Sequence, residues 1–284
     1  MHQSNCWAIC GLLVLVLPAV GQERKPEQVV QGHSEEVSSV ALSGDGSLVL
    51  TGSEDDTAIL WDAKSGEKLR TFSGHKSSVT SVALSGDGSL VLTGSYDKTA
   101  ILWDAKSGEQ LRAFKDIAKH CAAMSGDGSK ILTGHEDQTA ILWDAKSGEK
   151  LHIFSEHPAA LSVVALNDDG SRAFTSWNSH PPIVWDTKSG KSLRTFNTRG
   201  YSASSVAMSA DGSLVLTGSD DETAILWDAK SGEQLRTFSG HERKVPSVAI
   251  SGDGSRALTG SDDKTAILWD AKRDILLTFG VQRE

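Results

Sequence analysis

Lysine and arginine never gather into a run in this chain of 284 residues: 28 basic side chains stand against 37 acidic ones, a formal net charge of -9. Nucleic-acid binding needs a positive stripe to neutralise phosphates, so that class of partner is set aside. Cysteine is scarce, with three in all. Cys6 and Cys10 stand in an apolar leader, which leaves Cys121 with no mate for an internal disulfide. It reads as a small buried hydrophobe in a strand. There is no Cys-x-x-Cys pair, His-Glu-x-x-His, phosphate-cradling Gly-x-x-x-x-Gly-Lys or dinucleotide glycine motif. The Ser-Gly-Asp-Gly-Ser turns lack the further carboxylates a cation loop needs. His120, Cys121 and His135 would meet at a metal only by accident of folding. No catalytic, cofactor-binding or metal-binding residue is nominated, and no cofactor is called for.

Disorder is not indicated either, since 38% of the residues are hydrophobic and 23% charged. Charge is missing altogether from Cys6 to Gly21, after which Gln22 opens a polar stretch with four charged residues by Glu27. Ala19 and Gly21 stand three and one positions before a cut after Gly21, as in a secretory signal peptide. The run is short for a membrane span and contains Pro18. Residues 1–21 are therefore expected to be a cleaved signal and 22–284 the folded domain, secreted or periplasmic. The alternative is a membrane anchor formed by an uncleaved leader.

Six Trp-Asp pairs punctuate the rest of the chain, at Trp61, Trp103, Trp143, Trp185, Trp227 and Trp269, spaced 42, 40, 42, 42 and 42 residues apart. In the first repeat Val37–Leu42 is apolar and β-prone, Ser43–Ser47 is a Gly/Asp turn, and Leu48–Thr51 is a strand buried on both faces. Thr57–Trp61 and Lys68–Phe72 complete four short antiparallel strands, which must stack on neighbours to bury their faces. A period of about 40–45 residues ending in Trp-Asp, with Gly-His upstream, resembles the WD-repeat β-propeller family over nearly everything after residue 25. The resemblance implies an all-β propeller of four-stranded antiparallel blades, six of them here.

It also implies a buried tetrad of His, Ser/Thr, Asp and Trp in each blade. Carried over, these are His33, Thr51, Asp55 and Trp61 in the first blade and His75, Thr93, Asp97 and Trp103 in the second. The sixth has His241, Thr259, Asp263 and Trp269. They read as fold determinants rather than catalytic triads, because the hydroxyl recurs in every blade and points into a packed strand. The third blade keeps Thr133, Asp137 and Trp143 but has no histidine at the expected place. The fourth keeps His157, Thr175 and Trp185 with Ser179 for Asp. The fifth puts Arg199 at the His position beside Thr217, Asp221 and Trp227. These three should be locally weaker.

In this family the strand one–two and three–four turns lie at one end of the ring, and here they are near copies of one another. The connections at the other end diverge. Either glycine geometry freezes the first set, or the second is a binding face whose side chains differ by position. The candidate partner-binding residues are Tyr96, Glu136, Trp177, His180, Arg199, Tyr201, Arg243 and Lys244. Trp177 stands out as an exposed anchor or as filling for the fourth blade. The expected function is a non-enzymatic scaffold for a protein or peptide partner. The alternatives are a propeller enzyme with a central-channel site and a truncated, recently duplicated repeat protein without selected activity. Gln28–Gln31 and Ile275–Phe279 both look like the outer strand of the last blade, and only one of them fits there.

Overall fold

The computed structural model describes residues 8–10, 32–155, 157, 159, 161–177, 181–196, 203–273 and 275–280. The leader outside 8–10, Gln28–Gln31, Ser179, His180, Arg199 and Tyr201 lie outside these. No helix of the described residues is long and apolar enough to cross a membrane.

Six antiparallel four-stranded sheets follow one another along the chain, each built from consecutive strands, and form a six-bladed propeller. The first blade runs Val37–Leu42, Leu48–Ser53, Thr57–Asp62 and Lys68–Ser73 from the inside outwards. Its second strand pairs on both sides, with Val40 opposite Thr51 and Thr51 opposite Ile59. The third strand is buried over Ala58–Trp61, and the outer strand turns only Phe72 fully inward. This is why the second and third strands read as apolar runs and the fourth as an alternation. A bulge recurs opposite each blade's tryptophan, where the outer strand carries one extra residue, Leu69 in the first blade between partners Leu60 and Trp61.

Among the described residues the core is five clusters, each shared between two successive blades, from the first and second to the fifth and sixth. At every such junction a phenylalanine at or just past the end of one blade's outer strand packs on the next blade's tryptophan. Phe72 lies 5.6 Å from Trp103, Phe114 5.0 Å from Trp143, Phe154 4.8 Å from Trp185, Phe196 5.4 Å from Trp227 and Phe238 5.2 Å from Trp269. A tilted aromatic pair adds about 0.5–1.5 kcal/mol beyond its buried area.

The last blade takes its outer strand from Ile275–Gly280, paired with Thr265–Asp270. Ala8–Cys10 forms a short strand parallel to Val37–Leu42, on the channel side of the first blade, and also lies beside Ser247–Ile250 of the sixth. Cys121 is fully buried in the third blade.

Candidate functional site

Antiparallel connectivity sorts the turns. Those joining strands one to two and three to four gather at one end of the ring. Those joining two to three, and one blade to the next, gather at the other.

At the first end, carboxylates hold the turns. Asp45 accepts hydrogen bonds from the Ser43 hydroxyl and from the amide and hydroxyl of Ser47. The Ser43 bond, then those of Ser47, hold its carboxyl down to about 2. Asp62, of the first Trp-Asp pair, accepts from the Ser65 amide at 2.7 Å and the Ser65 hydroxyl at 2.8 Å, and its pKa is lowered by these bonds. Gly46, Gly88, Gly128, Gly170, Gly212 and Gly254 all have φ between 63° and 71° in the one–two turns. That geometry favours glycine, so much of the sameness at this end has a backbone cause.

The tetrads reach from the core toward the second end. In the first blade His33 Nε2 lies 2.8 Å from Thr51 Oγ1 and Nδ1 2.9 Å from Asp55, while the Trp61 indole N–H donates to Thr51 at 2.9 Å. The second and sixth blades repeat this, with His75 between Thr93 and Asp97 and His241 between Thr259 and Asp263. The indoles of Trp103 and Trp269 donate to the same threonines. Burial alone would raise the Asp55 carboxyl, but hydrogen bonds from Thr57, the Ser34 amide and His33 outweigh it and hold the group down to about 2. Asp97 and Asp263 are lowered in the same way. Every polar atom of these sets is occupied by its neighbours, so the arrangement is fit to hold strands rather than to move protons to a substrate.

Two blades depart from the pattern in a way the repeat alignment missed. In the third, the histidine comes from the end of strand two. His135 Nε2 lies 2.9 Å from Thr133 Oγ1 and Nδ1 2.9 Å from the Asp116 carbonyl. Asp137 accepts instead from Thr139, and burial pushes the His135 pKa down. In the fourth, His157 Nε2 meets Thr175 at 2.9 Å, and Nδ1 meets the Gln138 carbonyl of the third blade in place of an Asp. The fifth blade keeps the Trp227 to Thr217 bond.

Trp177 corrects the sequence reading. Its relative exposure is 3%, and its ring meets His157 edge-on at 4.9 Å, so it is core of the fourth blade and not an exposed anchor. It stands in the slot of Ser53, Ser95 and His135, one residue past the Thr-Gly or Thr-Ser of strand two, and that slot is buried in each of these blades.

The other described candidates stand at the rim. Tyr96 is exposed on the two–three turn of the second blade. Glu136 binds Lys98 across a blade junction at 2.9 Å, and Lys244 binds Asp220 at 2.7 Å. Arg243 is exposed next to Lys244. The rim also holds backbone strain. Asp56, Lys98, Gln138, Glu222 and Lys264, one in each described two–three turn, have φ of 66° to 72°. A side chain there costs roughly 1–2 kcal/mol that glycine would not. Among the described residues the central channel is lined by Ser, Thr, Ala, Val, Met and Leu, among them Thr80, Ala122, Met124, Val163 and Val206.

The family described as "WD domain, G-beta repeat" matches residues 24–62, 66–104, 110–144, 190–228 and 232–270, more than half of the chain. The stretch carrying most of the fourth blade, where Ser179 replaces Asp, is passed over. Among curated proteins, the chain is similar to WD repeat-containing protein 18 of Bos taurus, 45% identical over 58 residues, 18% of this chain and 13% of that protein. The corresponding figures are 43% over 49 residues, 17% and 11%, for Mus musculus, and 41% over 49 residues, 17% and 11%, for Homo sapiens. The matched stretches are a small part of those proteins' length, so the likeness concerns the repeat. With six Trp-Asp blades, a Trp-to-Thr hydrogen bond in each and the family match, the chain belongs to the WD-repeat family of β-propellers.

Proposed function

We propose that this propeller is a non-enzymatic platform that holds a protein or peptide partner on the end formed by the two–three turns and the blade-to-blade connections. The observation that carries the reading is the contrast in left-handed residues. The opposite end uses glycine in every one–two turn, whereas this end keeps Asp56, Lys98, Gln138, Glu222 and Lys264 in the same backbone region. Five different placements of charge and amide are retained where glycine would be less strained, and retained strain at a rim fits a surface on which side-chain identity matters. Tyr96 adds an exposed aromatic, and Arg243, Lys244, Glu136 and Asp220 add fixed charges. WD-repeat propellers as a class serve as such scaffolds, and the described residues lining the channel are small and uncharged.

The test is a pair of multiple variants. Tyr96→Ala, Glu136→Ala and Arg243→Ala together should abolish capture of the partner from the native compartment with the melting temperature held. Ser89→Ala, Lys106→Ala and Lys230→Ala at the other end should leave capture intact. Capture lost in the second set alone would move the site to the opposite end.

We also propose that the protein works outside the cytoplasm after loss of residues 1–21. The uncharged stretch Cys6–Gly21 and its small residues at 19 and 21 support this. N-terminal mass spectrometry of the native protein should find Gln22 first, and an intact Met1 on a cytoplasmic protein would overturn it.

A further inference from the structure

The connection from the second blade to the third is four residues shorter than its counterparts. From the phenylalanine of an outer strand to the first paired residue of the next inner strand there are seven steps from Phe72 to Val79, from Phe154 to Leu161 and from Phe196 to Ala203. From Phe114 to Ile117 there are three. The use of the extra length is plain at the second and sixth blades. Gly74 and Gly240 lie against the indoles of Trp103 and Trp269, where an added Cβ would stand 3.2 and 3.4 Å from Cη2. The next residue, His75 or His241, bonds the tetrad aspartate through Nδ1. The amide after it, of Lys76 or Glu242, donates to the same carboxylate oxygen at 2.9 and 3.0 Å.

The third blade keeps the receiving surface without the segment that covers it. Trp143 is half-buried, whereas Trp61, Trp103, Trp185, Trp227 and Trp269 are buried. Asp137 is exposed, whereas Asp55, Asp97, Asp221 and Asp263 are half-buried. Its Oδ1 accepts from the Thr139 amide at 3.1 Å and the Thr139 hydroxyl at 2.7 Å. Its Oδ2, the oxygen that takes two N–H donors in the second and sixth blades, receives none among the described residues. The Thr139 bonds hold the carboxyl below the usual range, so it is anionic at neutral pH. His135 already serves Thr133, and an incoming donor therefore needs to reach Asp137 alone.

A hollow of about 560 Å³ opens here on the flank of the ring, between Gln110–Lys115 and the outer half of the third blade. Phe114, Ile141 and Trp143 give it an apolar wall, with Lys115, Asp137 and Lys150 around them. Its size is that of a ligand site, about 300–1,000 Å³. The uncovered indole already draws a cation, since Lys150 Nζ stands 5.3 Å from its ring centre. Ile153, paired opposite Ile141 and 56% exposed, adds apolar surface beside it. The other blades carry Thr71, Ala113, Thr195, Thr237 and Thr278 at that register position.

We propose that this groove binds an extended segment of another polypeptide, with a small residue on the Trp143 indole and a basic residue next to it. The basic side chain and the amide that follows it donate N–H groups to Asp137 Oδ2. The occupant is inferred from the ring itself: the same surfaces of the second and sixth blades are covered by Gly74-His75-Lys76 and Gly240-His241-Glu242 of this chain. Histidine, arginine and lysine all meet the requirement, because the side chain has a carboxylate to reach and no threonine. The inference does not depend on partner binding at the rim, since Tyr96, Glu136 and Arg243 do not line the groove.

The probe is a fluorescein-labelled heptapeptide, Phe-Ser-Gly-His-Lys-Ser-Ser, which copies residues 72–78. Titrated into protein produced from the full chain, it should bind one-to-one and be displaced by unlabelled peptide. Asp137→Asn should weaken binding at least about tenfold, because the amide oxygen keeps the Thr139 bonds and turns an NH2 toward the incoming N–H groups. Ile153→Thr should weaken it by a smaller factor. Both side chains are exposed, so the melting temperature should hold in each variant. A leucine in place of the peptide's glycine should remove binding, since the residue on the indole has no room for a side chain. Tyr96→Ala combined with Arg243→Ala should leave the affinity unchanged, which separates the groove from the rim. No saturable binding below about 1 mM peptide overturns the proposal. So does binding that Asp137→Asn leaves intact, or binding that the rim pair removes. A mass that doubles with protein concentration, and does so no longer in Asp137→Asn, would give the groove to a second copy and overturn it as well.

Discussion

At one end of the propeller, six one–two turns each place a glycine in the left-handed region and tie an aspartate to neighbouring serine or asparagine groups; at the other, five two–three turns place Asp56, Lys98, Gln138, Glu222 and Lys264 in that same region. The repeats are near copies, so the two ends descend from the same units under the same packing. One end is uniform because its side chains are spent on holding the turn. The other varies although variation there has a conformational cost, and that asymmetry separates residues that build the ring from residues left free to meet something else.

The largest effect expected is on a residue that looks like rim and is core. Trp177→Ala should destabilise the fourth blade by about 3–5 kcal/mol, read from denaturant unfolding, because it empties a buried site against His157. A change within about 0.5 kcal/mol would return Trp177 to the surface and blur the comparison.

Next is the tetrad. Asp97→Ala leaves His75 Nδ1 without its carboxylate and should cost roughly 1–3 kcal/mol. Acid titration reads the same sets as a group. Asp55 is lowered from about 3.8 to about 2 in the fold, so its contribution is complete above pH 4 and is lost as pH falls toward 2. Unfolding of the wild type should therefore steepen between pH 4 and 2, and Asp55→Asn should flatten that limb.

Smaller, and opposite in sign at the two ends, are the turn substitutions. Gly88→Ala at φ 71° should destabilise by roughly 1–2 kcal/mol or more, since a Cβ would also sit 2.5 Å from Leu48 Cδ1. Lys98→Gly at φ 66° should be neutral or stabilise by up to about 1 kcal/mol while giving up the Lys98–Glu136 pair. Equal losses from both would remove the distinction between the ends.

The smallest is local and depends on pH. His135 is buried with its pKa lowered, so the unfolded chain binds a proton that the fold resists, and stability in the third blade should fall as pH drops below about 6.5. Amide exchange in Lys130–His135, corrected for intrinsic rates, should rise between pH 7 and 5 relative to Leu90–Ser95, where His75 keeps its aspartate.

Much of this could be read from the sequence, since a 42-residue period fixes both strand order and the His–Thr–Trp spacing. Two residues escaped for one shared reason. His135 and Trp177 both occupy the slot after the Thr-Gly or Thr-Ser of strand two, where Ser53 and Ser95 are buried. Sitting next to a turn, the slot reads as loop, yet it faces inward. A Thr-x-His string, with the histidine two residues past the tetrad threonine, was the available signal for the third blade.

The most direct test of the central claim is an amide-exchange footprint of the protein with its partner bound. The account predicts slowed exchange in the two–three turns around Tyr96, Glu136, Asp220 and Asp262, with the one–two turns around Asp45, Asp87, Asp211 and Asp253 unchanged. A footprint on those one–two turns, with the rim unaffected, would contradict it.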